Sequence, residues 1–362
     1  MIDEYLSKCA DNNNYTIYTS FCKAQRMLLQ HYYPVCSISG GADSDIVLDI
    51  MHKVDENGRI KYFWIDTGLE YSATKEHLDY LEQKYGISIE RVKPDKPIPT
   101  CIKEYGVPFL SKFVSEQMMR LQKHGFQWED EPLEVLLQKY PNCKVALQWW
   151  CCERYSDKDG FQKISRFSIE RNRWLKEFIM ANPPDFPISN KCCEFAKKIP
   201  AKRIVKENDA DLDITGIRMA EGGIRSAVYK TCFSECKSKD CDTYRPVFWY
   251  TDKDKHDYEQ MFDVTHSRCY TEYGLRRTGC VGCPFSKHIN EELAVIEEHE
   301  PNLYKAAVHI FGKSYEYTAK YRAFVKEMKA KDKEEKKRDK FSDNGADTGG
   351  DPVSADRSAV PA

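Results

Sequence analysis

At 362 residues the chain exceeds one comfortable core, so two domains, or one domain with a large insertion, are expected. Its 41% apolar and 12% aromatic residues allow a well-buried interior, and a net charge of −2 argues against a general polyanion binder. No apolar run reaches membrane-spanning length, MIDEYLSKCA lacks the apolar core of a signal peptide, and a cytoplasmic protein is expected, its 15 cysteines reduced and some of them binding metal.

Residues 1–33 read as a helical segment, a polar start followed by a helix from Phe21 to His31. Val35 to Ile50, VCSISGGADSDIVLDI, then reads as strand, tight glycine turn and helix. Gly40 and Gly41 let the backbone pass close to a ligand, and the helix start behind them favours an anion through its free N–H groups and dipole. Ser39 and Ser44 add hydroxyl donors, while Asp43 and Asp45 suit the helix N-terminus and are placed to orient a phosphate-bound metal such as Mg²⁺. A second strand, Ile60 to Ile65, ends in Asp66-Thr67-Gly68. A helix from Ser72 to Tyr85, capped by Gly86, leads to a third strand, Ile87 to Val92. Strands alternating with helices of this length predict an α/β fold, a doubly wound, Rossmann-like parallel sheet, with ligands beyond the carboxyl ends of its strands.

From about 101 to 190 the alternation stops and a helical insertion is expected, with helices over 113–123, 131–139 and Phe161 to Met180. Trp149 and Trp150 are expected in its core and Cys151 and Cys152 as buried thiols. A Cys-rich segment, about 191–285, resumes the sheet at Leu212 to Gly216 and places a helix near Tyr258, completing a domain over 34–285. C-terminal helices are expected over 286–325. After them, over 326–362, come a charged helix end with i,i+4 pairs such as Glu327–Lys331 and a tail too polar to fold.

Ser39 to Ser44 resembles the PP-loop of the adenine nucleotide α-hydrolase-like superfamily, which includes ATP pyrophosphatases, tRNA thiolation enzymes and the phosphoadenylyl-sulfate (PAPS) and adenylyl-sulfate reductases. WIDTGLEYSAT resembles the reductases' second-strand signature and adds Asp66, Thr67 and Gly68 to the nucleotide contacts. Many members carry Lys where this chain has Ala42, so the phosphate cation is expected from elsewhere.

Cys192-Cys193 and Cys280-x-x-Cys283 stand out among the cysteines. The second pair has metal-site spacing in a glycine-rich turn, and zinc or an iron–sulfur cluster would suit it. Cys232, Cys236, Cys241 and Cys269 remain open either as a separate zinc site or as partners of Cys280 and Cys283. Cys-Cys, Lys four positions on, Pro three further, then Cys-x-x-Cys is similar to the adenylyl-sulfate reductases. That resemblance implies a [4Fe–4S] cluster on Cys192, Cys193, Cys280 and Cys283, with Lys197 between cluster and substrate. It also implies that TGIR, with Gly216 and Arg218, meets the nucleotide's anionic end. Arg225, Arg276 and Arg277 are further anion candidates.

The reductases carry a nucleophilic cysteine in a C-terminal segment, and here no cysteine follows Cys283. Three functions stay open. The first is an ATP pyrophosphatase-type enzyme activating an acceptor for sulfur transfer, as in the iron–sulfur ATP pyrophosphatases of DNA phosphorothioation. The second is an adenylyl-sulfate or PAPS reductase recruiting Cys232 or Cys269, and the third a non-catalytic metal-binding module. The expected partners are an adenine nucleotide, a sulfur donor such as a cysteine desulfurase, a nucleic-acid acceptor and a second copy of the chain.

Overall fold

The computed structural model describes residues 2–152, 154–156, 158–165, 167–222, 228–237 and 240–343, excluding side chains from 337 onward. In chain order the elements used below are α1 (Ile2–Asp11), α2 (Tyr15–Gln30), β1 (Pro34–Ser37), α3 (Ala42–Val54), β2 (Lys61–Ile65), α4 (Ser72–Tyr85), β3 (Ile89–Val92), α5 (Ile98–Tyr105), α6 (Lys112–Lys123), α7 (Leu133–Lys139), α8 (Lys144–Trp150), β4 (Arg154–Ser156), β5 (Gln162–Ile164) and α9 (Leu175–Ala181). They continue with α10 (Lys191–Cys193), a π-helical turn (Glu194–Lys198), α11 (Ile199–Glu207), β6 (Leu212–Thr215), β7 (Phe233–Ser234), β8 (Asp242–Tyr244), α12 (Asp252–Phe262), α13 (Arg268–Thr271), α14 (Ile289–His299) and α15 (Pro301–Asp343). The chain divides into two compact units, residues 1–123 with 186–315 and residues 124–185 with 316–362.

The first unit holds a six-stranded sheet among the described residues, ordered β3-β2-β1-β6-β8-β7. All neighbours are parallel except β7, which runs antiparallel to β8 at the edge. Successive side chains on a strand face opposite ways, and both faces here are covered. Cys36 packs with Ile46, Val47, Ile50 and the α2 residues Ile17 and Phe21, while Val35 packs with Phe63, Val92 and Ile204 on the other side. The order reverses at β1: the chain moves outward through β2 and β3, then returns to lay β6 on β1's free edge. In such sheets a crevice opens at the reversal, outside the carboxyl ends of the two strands. The glycine loop after β1 and the Gly216 turn after β6 both open there.

α1 comes from the segment read as a polar start: Cys9 is buried, and Tyr5 and Leu6 pack against the same core. Asn14 caps α2, its side chain accepting the Ile17 N–H at 3.1 Å, and Gly86 ends α4 in the left-handed conformation at φ +63°.

In the second unit Trp149 and Trp150 are buried, and the Trp150 indole donates to the Glu129 carbonyl at 2.8 Å. Phe178 packs on Tyr317 and Tyr321. The helix expected from Phe161 to Met180 is absent. Gln162–Ile164 instead pairs antiparallel with Arg154–Ser156 behind a turn at Gly160 (φ +81°), a single 3-10 turn follows at Ile169–Arg171, and α-helix forms from Leu175. Lys331 pairs with Glu327 at 2.8 Å, and the tail from 344 lies outside the described residues.

Candidate functional site

The four residues between β1 and α3, Ile38 to Gly41, make the turn. Gly40 sits at φ +66°, and a Cβ there would lie 2.6 Å from Thr74 Cγ2, so no larger residue fits unstrained. Ser44 braces the turn from inside, its Oγ donating to the Gly41 carbonyl at 2.7 Å and accepting the N–H groups of Gly41 at 3.1 Å and Ser39 at 3.2 Å. That hydroxyl is thus committed to holding the loop, while Ser39 stays exposed at its mouth. Gly216 closes the other wall, where a Cβ would come within 3.2 Å of Ser44 Cα.

One first-turn N–H is already bonded. Ala42 donates to the Tyr270 hydroxyl at 3.2 Å, and the same oxygen accepts the Thr278 N–H at 3.1 Å. Tyr270 therefore ties the loop to the segment leading into Cys280. Tyr270→Phe would leave two N–H groups without that acceptor and is expected to cost about 1–3 kcal/mol, measurable by urea denaturation.

The two aspartates of α3 face different ways. Asp43 Oδ1 lies 2.9 Å from Arg218 Nε and 3.2 Å from Lys255 Nζ, and Arg218 also reaches the exposed Asp252 at 2.9 Å. Asp45 does not meet the loop mouth as expected. It is fully buried, with its carboxylate 3.0 Å from His77 and 2.8 Å from His266, whose other nitrogen meets Glu259 at 2.8 Å. Burial alone would raise the Asp45 carboxyl, but bonds from His266 and His77 outweigh it and hold it below the ordinary range. Burial likewise opposes charge on His266, yet Asp45 and Glu259 together lift it to about 9.

The second strand's end lies against the cysteines. Asp66 Oδ1 accepts the Gly68 N–H at 3.0 Å, the Val281 N–H donates to the Leu69 carbonyl at 2.9 Å, and the buried Thr67 hydroxyl lies 2.6 Å from Glu70 and 3.7 Å from Cys280 Sγ. Cys192 and Cys193 end α10, and the wide turn after it carries Lys197 to Cys280. π turns of this kind recur at functional sites. The thiols feel one another: Cys193 and Cys280 both act on Cys283, and Cys280 and Cys283 both act on Cys192. A hydrogen bond from Cys192 draws the Cys193 thiol toward thiolate, helped by Lys112 and Lys197, while making that bond, together with burial, pushes Cys192 up. Burial raises Cys280, and with Cys280's charge pushes Cys283 to about 12; Lys197 is held firmly cationic, chiefly by Cys280. Among the described residues, no group of three or more His, Cys, Asp or Glu side chains is placed to hold a metal ion as it stands.

The structure thus gathers Cys192, Cys193, Lys197, Cys280 and Cys283, and places Ser39 to Ser44 beside Gly216 and Arg218. Cys101 on α5 is near enough to Cys193 to feel its charge, and Cys101 and Cys269 share the buried cluster of Cys192. Cys236 and Cys241 bracket the β7–β8 turn, with Cys241 beside Asp211 and Asp213 at the amino end of β6. Cys269 is fully buried, 3.7 Å from Thr74 Oγ1, and burial raises its thiol, which unfits it as a nucleophile. Cys151 and Cys152, expected buried, are only partly so. None of the 15 cysteines is in a disulfide. Arg276 and Arg277 are exposed just before Thr278, and Arg225 lies outside the described residues. Reading the sequence missed Lys255, His77, His266, Tyr270 and Lys112, which no local spacing marks.

An open α/β sheet of this order, with a glycine loop at its reversal, is a doubly wound, Rossmann-like fold, whose ligands bind outside the carboxyl ends of the strands. Residues 33–183 match the model of the phosphoadenosine phosphosulfate reductase domain, a span that includes the loop and Asp66–Gly68 and stops short of Cys192. An uncharacterized protein of Methanocaldococcus jannaschii is 28% identical over 147 residues, 41% of this chain, and the match spans only 28% of that relative's length. Two solved structures resemble the chain loosely. One is the phosphoadenylyl-sulfate reductase of Candida auris in complex with phosphate, at 14% identity and TM-score 0.37, covering 71% of this chain and 86% of that one. The other is the U34-tRNA thiolase NcsA of Methanococcus maripaludis with its [4Fe–4S] cluster, at 12% identity and TM-score 0.36, covering 86% and 80%.

Proposed function

We propose that the chain is an adenine-nucleotide enzyme that uses ATP to activate an acceptor for sulfur transfer, beside a [4Fe–4S] cluster on Cys192, Cys193, Cys280 and Cys283. One observation supports this reading: Thr278, bonded through Tyr270 to the start of α3, is two residues from Cys280, so one side chain ties the loop to the segment that carries a candidate ligand. The donor set fits the group. It is four buried or partly buried thiols with an ammonium against them. Adjacent Cys192 and Cys193 are awkward ligands for one zinc ion, whereas a cubane offers each thiolate its own iron. When bound, such a cluster supplies iron able to hold sulfur next to the activated acceptor.

The remaining chemistry falls to the chain. The Ser39–Ser44 loop seats the phosphates with Mg²⁺ near Asp43. An acceptor oxygen attacks the α-phosphorus of ATP, the bond to the β-phosphate oxygen breaks and pyrophosphate leaves; a sulfur nucleophile then displaces AMP from the acceptor. Lys197 and Arg218 neutralise developing charge, so catalysis rests on positioning and electrostatics rather than on a protein nucleophile. A persulfide-bearing donor protein, a second thiol that cleaves the acceptor–donor disulfide left after AMP departs and itself ends as a disulfide with the donor, and a nucleic-acid acceptor are the partners this chemistry calls for. The reductase alternative loses Cys269 to burial, which leaves Cys232, half-buried, as its nucleophile.

Protein purified without oxygen is expected to contain iron and labile sulfide, to bind ATP by calorimetry, and to release pyrophosphate once an acceptor is supplied. Absence of nucleotide binding in iron-replete protein would sink the proposal; sulfite from adenylyl-sulfate would replace it with the reductase.

A further inference from the structure

The loop has an electrostatic deficit. Where many resembling loops carry Lys it has Ala42, buried and uncharged, while Asp43 and Asp45 bring two carboxylates into the first turn of α3. A helix terminus contributes only about half a positive charge, which cannot by itself balance a nucleoside triphosphate. Asp45 is turned inward and paired with its two histidines, so the shortfall lies at Asp43.

We infer that Lys255, one turn into α12, is the phosphate-binding cation of this loop, supplying from another element the charge that Ala42 lacks. The inference rests on the nucleotide-binding reading above. Lys255 Nζ lies 3.2 Å from Asp43 Oδ1 and 3.9 Å from Glu259 Oε1. Glu259 is already engaged by His266 at 2.8 Å, which leaves the ammonium committed mainly to Asp43. Arg218 is buried, its guanidinium divided between Asp43 and Asp252, and Asp43 Oδ1 receives an aligned hydrogen bond from neither Arg218 Nε at 2.9 Å nor Lys255 Nζ at 3.2 Å. The loop therefore has buried polar atoms ready for a better-directed partner. Lys255 has the mobility to provide one. Its side chain is 22% exposed and extends from a helix fixed by Thr251, whose hydroxyl accepts the Asp254 N–H at 3.2 Å. A flexible ammonium is the usual point charge for phosphate. When phosphate enters, Lys255 turns from Asp43 to the phosphate oxygens, and Asp43 is freed for the accompanying divalent cation. Nucleotide and metal would then bind cooperatively through one exchanged ion pair.

Calorimetry on the full chain, purified anaerobically, tests this with MgATP and, separately, magnesium pyrophosphate. Lys255→Met is expected to weaken both by about tenfold to a hundredfold, the loss of one charge-assisted contact. Lys253→Met, on the same helix but pointing to solvent beside Asp257, should leave both unchanged. Ala42→Lys on the Lys255→Met background should recover most of the lost affinity, and its binding also shows that the chain is folded. Unchanged affinity in Lys255→Met, an equal loss in Lys253→Met, or no recovery in the double variant each overturns the inference while leaving the site's assignment intact. Failure of the unaltered chain to bind either probe overturns both.

Discussion

Asp45→Ala is expected to cost the fold about 3–5 kcal/mol, the loss typical of removing one partner from a buried charge cluster. Asp45 is fully buried, and two imidazoles, both largely hidden, meet its carboxylate. Alanine would leave His266 with Glu259 alone and take from His77 the carboxylate it shares, at the point where α3, α4 and the segment after α12 come together. The pH dependence has a definite sign. His266 is held at about 9, above its ordinary 6.5, so its contribution is complete below pH 6.5 and fades as pH rises through 9. Asp45 is held below its ordinary value, so its contribution is complete above that value and fades only as acid titrates the folded carboxylate. Urea denaturation across pH 5–10 should show stability falling between about pH 6.5 and 9 in the unaltered chain. His266→Gln should flatten that fall. A parallel decline in both proteins would remove the network from the explanation.

Cys280→Ala is expected to abolish iron incorporation and with it sulfur transfer, while ATP affinity stays near that of the unaltered chain. Cys280 is the thiol most closely engaged by Lys197 and Thr67, yet no phosphate-loop atom depends on its side chain. Cys241→Ala should retain full iron, because Cys241 lies at the opposite end of the sheet strands. Iron analysis of the two purified variants decides between the ligand sets. Iron kept by Cys280→Ala and lost by Cys241→Ala would reassign the centre to the β7–β8 turn.

What was legible from residues alone follows from how local each signal is. Gly40-Gly41, Ser44 and the strand before them act within ten residues of chain, so the loop and the parallel order around it could be anticipated. The cysteine pairs were legible through their spacing and the lysine set between them. Lys255, His77 and His266 were not, because they reach α3 from other helices and loops across the fold and look in sequence like ordinary surface residues. Asp45 misled for the same reason: an acidic residue in a first turn reads as a dipole partner until buried imidazoles are seen around it. The Phe161–Met180 segment has apolar residues at helical intervals, but a glycine turn and a hairpin partner claim its first residues.

The winding after α10 has a consequence of its own. From Glu194 to Lys198 the backbone closes its bonds over a wider loop than the helices on either side, which amounts to one residue lodged in an otherwise regular coil. Deleting that extra residue would restore ordinary winding, leave the coil on either side in register, and reorient the turn's own side chains about the axis. Lys197 would then face away from the sulfur atoms it now serves, with every side chain still present. The reach of that ammonium is stored in the pitch of the main chain, where a catalogue of matching residues would not find it.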